Sequence, residues 1–186
     1  AYLGGESDGA DLIRPLTELG PDMNTFAMVG PDALGHLAMD PQDPIPGASA
    51  TRVVSSTTPA TIDAFLDSAG PGSPSGLASV ELRSLGGALT RRPEGAGARA
   101  TLKGDYVMFA VGGVMIPEAQ DEVQGQADAV AGALAPWDAG ARYANFEERS
   151  SDARLFYDEN TFRLLRALRT EWDPSGLFLA NHEIKE

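Results

Sequence analysis

The sequence predicts an α+β fold in which a mainly antiparallel β-sheet is covered by helices on one face. Two predicted strands, residues 78–85 and 105–116, follow each other without a helix between them, so the βαβ repetition of a parallel sheet is broken. The second strand (DYVMFAVGGVMI) is apolar on both faces, which is typical of a central strand. A length of 186 residues fits one domain with a core of its own.

The N-terminal part of the chain predicts one amphipathic helix and several short elements. Ser7 is a candidate N-cap for a helix over residues 8–19, whose leucines fall on one face, and a Gly-Pro pair follows as the stop signal. Further along, the pattern predicts a strand at 24–29, a short helix at 31–37 and a proline-rich extended loop at 40–47.

The rest of the chain mixes strands and helices. Thr58-Pro59 opens a helix that runs to Ala69, because proline is favoured at the first helical position, and Pro117 starts another that runs to about Leu134. The helix predicted over residues 160–172 is amphipathic, with Phe162, Leu165, Leu168 and Trp172 facing inward. The remaining predicted elements are strands at 51–57 and 143–147 and a helical turn at 151–157.

Composition excludes several classes of function. The sequence has no cysteine, which excludes disulfides, thiolate nucleophiles, zinc–cysteine sites and a cysteine-linked flavin within it. The formal net charge of −13 would repel polyanions, so neither nucleic acid nor an anionic membrane is an expected partner. No stretch approaches the ~18 consecutive apolar residues of a membrane span.

Familiar catalytic and metal-binding motifs are absent from the sequence. His36 and His182 are the only histidines, neither has a neighbour at ligand spacing, and surface or capping roles are expected for both. Gly86-Gly87 is a pair rather than a phosphate-binding GxGxxG motif. The pair could let a flat molecule approach the backbone or form a β-bulge, and the residues alone favour the bulge. A serine hydrolase is not expected, because there is no GxSxG motif.

One short segment places a phenol beside an amide. If residues 143–147 are extended, Tyr143 and Asn145 share one face. Together they could serve a substrate that must lose a proton or be held over a redox ring. The alternative is an amphipathic edge strand with Phe146 in the core, and the residues alone favour this alternative.

The C-terminal stretch contains an ordered set of short motifs. RYANFE (142–147) is followed by FRLLRALR (162–169), WDP (172–174), LF (177–178) and NH (181–182). In this order and spacing the set resembles the tail of the berberine bridge enzyme-like FAD oxidases, in which Tyr-x-Asn-(Phe/Tyr) precedes a helix and then Asp-Pro-x-x-x-Phe. The resemblance extends to bacterial members through HLAMDP (36–41), PIP (44–46) and SVELRSLGGAL (79–89), and it covers essentially the whole chain.

This resemblance implies that residues 1–186 are the substrate-binding (cap) domain of a two-domain flavoenzyme, with the family tail at about 140–186. The N-terminal FAD-binding half would lie outside these residues, and the absence of an initiator Met fits a processed chain or a fragment. FAD would be the cofactor of the full-length enzyme and would not be bound by this part alone. The implied reaction is two-electron oxidation of an alcohol, a sugar or an amine, with hydride transfer to flavin N5.

The resemblance also implies roles for individual residues. Tyr143 matches the family's Tyr-x-Asn tyrosine, which lines the site and can act as the base. Asn145 matches the asparagine near the flavin, and Asn181 falls in the tail that approaches the cofactor. Gly86 and Gly87 match a glycine pair near the substrate cavity.

One departure from the family concerns the proton acceptor. Plant members place Glu or Gln on the long strand, where this sequence has Phe109, which cannot accept a proton. Either Tyr106 or Tyr143 would then take the role, with Arg83 or Arg142 as the cation that activates the phenol, or the reaction would need no second polar group. The expected substrate-binding residues are Arg83, Gly86, Gly87, Met108 and Phe109, with Val111 as a further part of the cavity wall.

Three interpretations follow: an enzyme fragment that is inactive alone, a stand-alone module that binds a small ligand, and a structural protein without flavin. If the first holds, one face should expose apolar residues where the FAD-binding half docks. That face could also join two copies as a homodimer. A cytoplasmic location is expected, with any targeting signal in the preceding half.

Overall fold

The computed structural model describes residues 2–37 and 43–185, which belong to two compact units, Ala1–Pro44 and Ile45–Glu186. The family-like residues 38–41 lie outside the described residues, as does the first part of the predicted proline-rich loop.

The first unit contains one α-helix and one 3-10 helix. Helix α1 spans Glu6–Thr17 with Gly5 at its N-cap, so Ser7 lies inside the helix and its predicted capping role is wrong. The 3-10 helix spans Pro31–His36 and begins at the proline, as predicted. The strand predicted at 24–29 is wrong, because that segment has no regular structure. A strand needs a hydrogen-bonded neighbouring strand, and the described residues of this unit contain no strand that could serve as one.

The second unit is built on a three-stranded antiparallel sheet. Its strands are β1 (Gly47–Val54), β2 (Ser79–Ser84) and β3 (Tyr106–Gly113), in the order β1-β3-β2. The central position predicted for residues 105–116 is confirmed, because β3 pairs with both neighbours.

Two helices cover one face of this sheet. Helix α2 (Pro59–Ala69) begins in a capping box made by Thr58 and Thr61, and α3 (Gln120–Ala133) follows a 3-10 turn at Pro117–Ala119. Helix α3 packs against β1 and β3, and α2 packs against α3. The buried residues between them are Ala50, Val54, Met108, Ala110, Ala127, Val130, Ala131 and Leu134. The predicted fold class, α+β with an antiparallel sheet, is confirmed.

The last helix is less buried than its sequence predicts. Helix α4 spans Glu159–Trp172, and the Asp158 carboxylate accepts the Thr161 N–H at its start at 3.0 Å. Phe162 is buried, but Leu168 is 51% exposed and Trp172 is 76% exposed, so the inward orientation predicted for these two is wrong. No helix in residues 2–37 and 43–185 is long and apolar enough to cross a membrane.

The second face of the sheet is covered by irregular chain. Residues 144–146 form a 3-10 turn, so the strand predicted at 143–147 is wrong. An extended chain would point Tyr143 and Phe146 to opposite sides, whereas in a 3-10 turn residues three apart lie on one side. Both rings therefore pack on the same cluster, whose buried members are Val53, Leu85 and Val107.

An ionic cluster, termed here the Asp138 clamp, fixes the start of this covering segment. The Asp138 backbone forms an isolated β-bridge with Val54, on the outer edge of β1. Its carboxylate accepts hydrogen bonds from Arg142 at 3.0 and 3.1 Å and is also paired with Arg52. Arg52 in turn donates from Nε to the Ala131 carbonyl at the end of α3, at 2.6 Å. The side chains of Arg52, Asp138 and Arg142 are only 15%, 22% and 19% exposed.

The contacts of the clamp lower the pKa of Asp138. Burial by itself would raise the pKa of Asp138, but hydrogen bonds from Arg142 and from the Gly140 N–H, together with the charges of Arg142 and Arg52, lower it below its ordinary value. The guanidinium groups of Arg52 and Arg142 therefore share this carboxylate. Among the described residues, removing its charge leaves Arg52 without an anionic partner and Arg142 with only the more distant Glu147, at 4.0 Å.

We expect Asp138→Asn to lower the free energy of unfolding by about 2–3 kcal/mol, because it removes the carboxylate that the mostly buried Arg52 and Arg142 share and leaves Arg142 only the more distant Glu147. Urea unfolding at pH 7 measures the loss. The matched control is Asp128→Asn, because Asp128 pairs with Arg149 at 2.7 Å between side chains about half exposed, and such a pair contributes less than about 1 kcal/mol. Equal losses in the two variants would contradict a special role for the clamp.

Candidate functional site

The alternation of β3 divides the predicted site residues between the two faces of the sheet. Met108 is fully buried in the core under the helices, and Tyr106 packs at the margin of the same cluster. Phe109, the residue after Met108, points to the other face, where it contacts Phe146. A site on this second face would therefore include Phe109 but neither Tyr106 nor Met108.

Three predicted residues meet on the second face around one ring that was expected only in the core. Phe146 lies 4.7 Å from Phe109 between ring centroids, and Tyr143 meets it edge-on at 5.1 Å. The Arg83 guanidinium lies over the Phe146 ring, 4.6 Å from its centroid. Such contacts each contribute about 0.5–1.5 kcal/mol beyond area burial, so Phe146 holds Tyr143, Phe109 and Arg83 in one cluster.

Carboxylates border this aromatic cluster on both sides. On β2, Glu81 faces Phe109 in the strand register and pairs with Arg83 at 2.7 Å. On the β1 side, the Ser49 hydroxyl donates to Glu148 at 2.6 Å, and Ser49 itself is only 4% exposed. The sequence prediction missed Glu81, Ser49 and Glu148. The alternation of VELR on β2 was a signal for Glu81, since it places that side chain on the Arg83 face.

The cations proposed to activate a tyrosine have partners of their own. Arg83 is shared between Glu81 and the Phe146 ring, and Arg142 is shared between Asp138 and Glu147. Arg83 is the more accessible of the two, because 57% of its side chain is exposed against 19% for Arg142. A molecule on this face would therefore meet Arg83 before Arg142.

The glycine pair lies just beyond the end of β2. Gly87 has φ +64 and begins a 3-10 turn that ends at Thr90, and the N–H of Gly86 donates to the Ser84 hydroxyl at 3.4 Å. A Cβ on Gly87 would meet nothing within 4 Å, so the glycine is needed there for its backbone conformation. The pair therefore forms a turn after the strand.

The two asparagines assigned to the cofactor are both exposed. Asn145 lies on the turn above the sheet, and its amide is open to solvent. Asn181 lies elsewhere, at an open hollow of about 320 Å³ beside the start of α4. Charged residues of both signs line that hollow, and they are paired there, Arg154 with Asp152 at 3.6 Å and Lys185 with Glu183 at 2.8 Å.

The two histidines lie in different surroundings. His182 packs its ring 4.4 Å from Phe156, and its Nδ1 accepts the Ser151 N–H at 3.3 Å. His36 is exposed at the end of its 3-10 helix. Within the described ranges, no group of three or more His, Cys, Asp or Glu side chains could share a metal ion.

A large apolar surface remains open to solvent at the C-terminal end, and we call it the apolar tail surface. Its members are Leu164, Leu168 and Trp172, one turn apart along α4, and Leu177, Phe178 and Leu179 after it; they are 51–88% exposed. The turn between the two sets is ordered, because the Asp173 carboxylate accepts the N–H groups of Leu177 at 2.7 Å and Phe178 at 3.1 Å. Exposed large apolar residues that follow one another along the chain in this way make the segment a candidate interaction surface.

We expect Phe146→Ala to destabilise the second unit by about 2–3 kcal/mol, because the half-buried ring is the common contact of Phe109, Tyr143 and Arg83. Phe178→Ala, which removes an equal ring that is 72% exposed, should cost less than about 0.5 kcal/mol. Urea unfolding followed by tyrosine and tryptophan fluorescence compares the two. A Phe146 loss no larger than that of Phe178 would show that the cluster does not hold the covering segment.

Comparison with known proteins supports the fold of the chain but does not identify its function. No family model matches the sequence, and no curated protein matches it. Solved structures do match. Physcomitrella patens BBE-like 1 is similar over 100% of this chain with a TM-score of 0.72, and a chitooligosaccharide oxidase over 99% with a TM-score of 0.69, each at 15% identity. The match covers 44% of either of those chains, so this chain spans less than half their length. The chain thus has the fold of one part of these two proteins.

Proposed function

We propose that this chain is the substrate-side part of an FAD-linked oxidoreductase of the berberine bridge enzyme type, which oxidises an alcohol, a sugar or an amine. The observation that carries the proposal is the coverage of the match. Proteins named as a BBE-like protein and an oxidase contain the whole of this chain's fold in 44% of their length. The other part of the reaction machinery would then be supplied by residues outside these 186.

The apolar tail surface supports the same proposal. Six large side chains along α4 and the following turn are mostly in water, and Asp173 holds the turn that presents three of them. A ligand-binding module that is stable alone would be expected to expose fewer large apolar side chains in one segment, because soluble monomers rarely expose large apolar patches. We take its partner to be the FAD-binding half of the same polypeptide, with a homodimer as the competing assembly.

The second face of the sheet is the proposed substrate face. Phe109 and Phe146 offer a flat apolar base, and Glu81 and Arg83 offer polar groups beside it. Gly86 and Gly87, in the turn that follows β2, would allow close approach of the substrate. The exposed amide of Asn145, on the turn above this face, can donate and accept hydrogen bonds, which fits the polar edge of a flavin ring. Asn181 has the same groups but lies at the separate hollow beside α4. The flavin, when bound, supplies the hydride acceptor.

Between the two candidate tyrosines, geometry favours Tyr143 as the proton acceptor. Tyr143 is half-buried on the second face and touches Phe146, the ring that also holds Arg83. Tyr106 is on the helix-covered face, in a small hollow with Leu82, Phe65 and Ile62. A base must reach the proton that it removes, so a substrate on the second face could use only Tyr143.

In a longer polypeptide that includes the FAD-binding half, we expect Tyr143→Phe to lower kcat by about 10²–10⁴-fold, the usual contribution of a general base. Tyr106→Phe is the matched control, because it removes the same hydroxyl from the opposite face, and its kcat should stay within about twofold. Flavin content, read from the visible absorption spectrum, should be the same in both variants.

Two results would contradict these assignments separately. Full turnover in Tyr143→Phe would exclude Tyr143 as the base and leave the flavoenzyme proposal standing. A longer polypeptide that folds but takes up no flavin would overturn the flavoenzyme proposal and favour the ligand-binding module.

The apolar tail surface gives a second test. In the isolated chain, Phe178→Asp should reduce self-association, because it interrupts exposed apolar area; in the longer polypeptide it should reduce flavin retention several-fold, because it places a charge in a covered interface. Met115→Asp is the control, since Met115 is 77% exposed but lies outside this surface. Size-exclusion chromatography with light scattering and the flavin-to-protein absorbance ratio measure the two effects. Equal behaviour of both variants in both settings would mean that this surface is not an interface.

A further inference from the structure

The segment that covers the second face of the sheet, residues 138–148, is a loop whose two ends both lie on β1. It leaves the strand at Asp138, whose backbone bridges to Val54, and it returns at Glu148, whose carboxylate accepts the Ser49 hydroxyl at 2.6 Å. Val54 and Ser49 are five residues apart along β1, which corresponds to about 17 Å. Between these ends the loop crosses toward β3 and β2, where its aromatic rings pack.

The first half of this covering loop is held through Arg142. Its guanidinium binds Asp138, its N–H donates to the Leu155 carbonyl at 2.8 Å, and its own carbonyl accepts from Arg99 at 2.9 Å. These contacts end one residue before Tyr143. They fix the entry to the 3-10 turn, so its exit must be fixed by other contacts.

The second half of the covering loop ends on a hydrogen bond with a buried donor. Ser49 is almost fully buried, and because Ala50 faces the helices, alternation points Ser49 toward the loop. The neighbouring contact, Arg149 with Asp128 of α3, lies between side chains about half exposed. A hydrogen bond from a buried donor to a charged acceptor contributes more to stability than an exposed ion pair. The bond between Ser49 and Glu148 is therefore the main contact that fixes the return of the loop.

The rings that form the second face lie between these two fixed ends. Phe146, two residues before Glu148, meets Tyr143 edge-on. It also contacts Phe109 and Arg83, which belong to strands β3 and β2. A shift in the return of the loop would therefore move Phe146 and Tyr143 relative to the sheet. Misplacing a reacting group by about 1 Å can lower a rate by about 100-fold.

We propose that Glu148 is a positioning residue: through its hydrogen bond with Ser49 it fixes Phe146, and Tyr143 against it, over the second face of the sheet. This deepens the proposed function and rests on it in one respect, that Tyr143 is the proton acceptor. Glu148 acts through the loop rather than on the substrate. The position therefore requires a hydrogen-bond acceptor and not a negative charge as such.

Aromatic NMR signals of the 186-residue chain test the position of the loop without any substrate. The Tyr143 ring signals are assigned by their loss in Tyr143→Phe. In Glu148→Ala and in Ser49→Ala they should move toward random-coil values, because the Phe146 ring is no longer held at 5.1 Å. In Glu148→Gln they should stay at the wild-type values, because the amide oxygen still accepts the Ser49 hydroxyl.

Turnover is measured in a longer polypeptide that includes the FAD-binding half, with the substrate that the wild type oxidises fastest among alcohols, sugars and amines. Glu148→Ala and Ser49→Ala should each lower kcat by about 10–100-fold, with a smaller change in KM. The double variant should be no slower than the slower single variant, because both changes remove the same bond. Glu148→Gln should keep kcat within about threefold of the wild type. Asp128→Asn, the control at the neighbouring exposed pair, should keep it within about twofold.

The outcomes separate this inference from the proposed function. Unmoved ring signals and full turnover in both alanine variants, beside a slow Tyr143→Phe, would overturn the positioning role and leave the base assignment in place. Equal losses of kcat in Glu148→Gln and Glu148→Ala, or an equal loss in Asp128→Asn, would assign the effect to charge or to the exposed pair and would also overturn it. Moved ring signals in both alanine variants, with no flavin uptake by the longer polypeptide, would support the positioning of Tyr143 and overturn the flavoenzyme.

Discussion

The arrangement of the second unit depends on one carboxylate. Asp138 lies where three elements meet: its backbone bridges to the edge of β1, and its side chain holds Arg52, which also reaches the end of α3. The same side chain holds Arg142, the first residue of the segment that crosses the sheet. Burial raises the pKa of Asp138, but the two arginines and the Gly140 N–H stabilise the charged form and lower it below its ordinary value. Helix layer, sheet edge and crossing segment are therefore fixed relative to one another through a single ionised group.

This constraint decides what the second face of the sheet can offer. With Arg142 fixed, the next residues must turn at once, and the 3-10 turn points Tyr143 and Phe146 down onto Val53, Val107 and Phe109. The face is then apolar at its centre, and Glu81 and Glu148 lie at its margins. Arg83 offsets the charge of Glu81, so the face combines an apolar base with one ion pair and the Glu148 carboxylate.

Local signals predicted most of the fold, and the parts that failed depend on distant contacts. Thr58-Pro59 specifies a helix start within four residues, and the apolar run of β3 specifies a central strand by itself, so both were predicted correctly. Residues 143–147 alternate like a strand, but the clamp and the sheet beneath convert them into a turn. That error separated Phe146 from the site, although Tyr143 and Arg83 were both predicted to belong to it. Burial of Leu168 and Trp172 failed for another reason: amphipathicity predicts that a face is covered without saying by what.

Two surfaces of the described residues are uncovered, and they differ in kind. The apolar tail surface consists of side chains. Repulsion between copies of the chain, which carry a net charge of −13, opposes association through such a surface. The β2 edge is a backbone surface, and repulsion between copies does not satisfy its N–H and C=O groups. Water can satisfy them at the edge, but it cannot cover Val80 and Leu82 on the helix side. The chain closes the β1 edge with its own residues, whereas no strand within residues 2–37 and 43–185 pairs with the outer edge of β2.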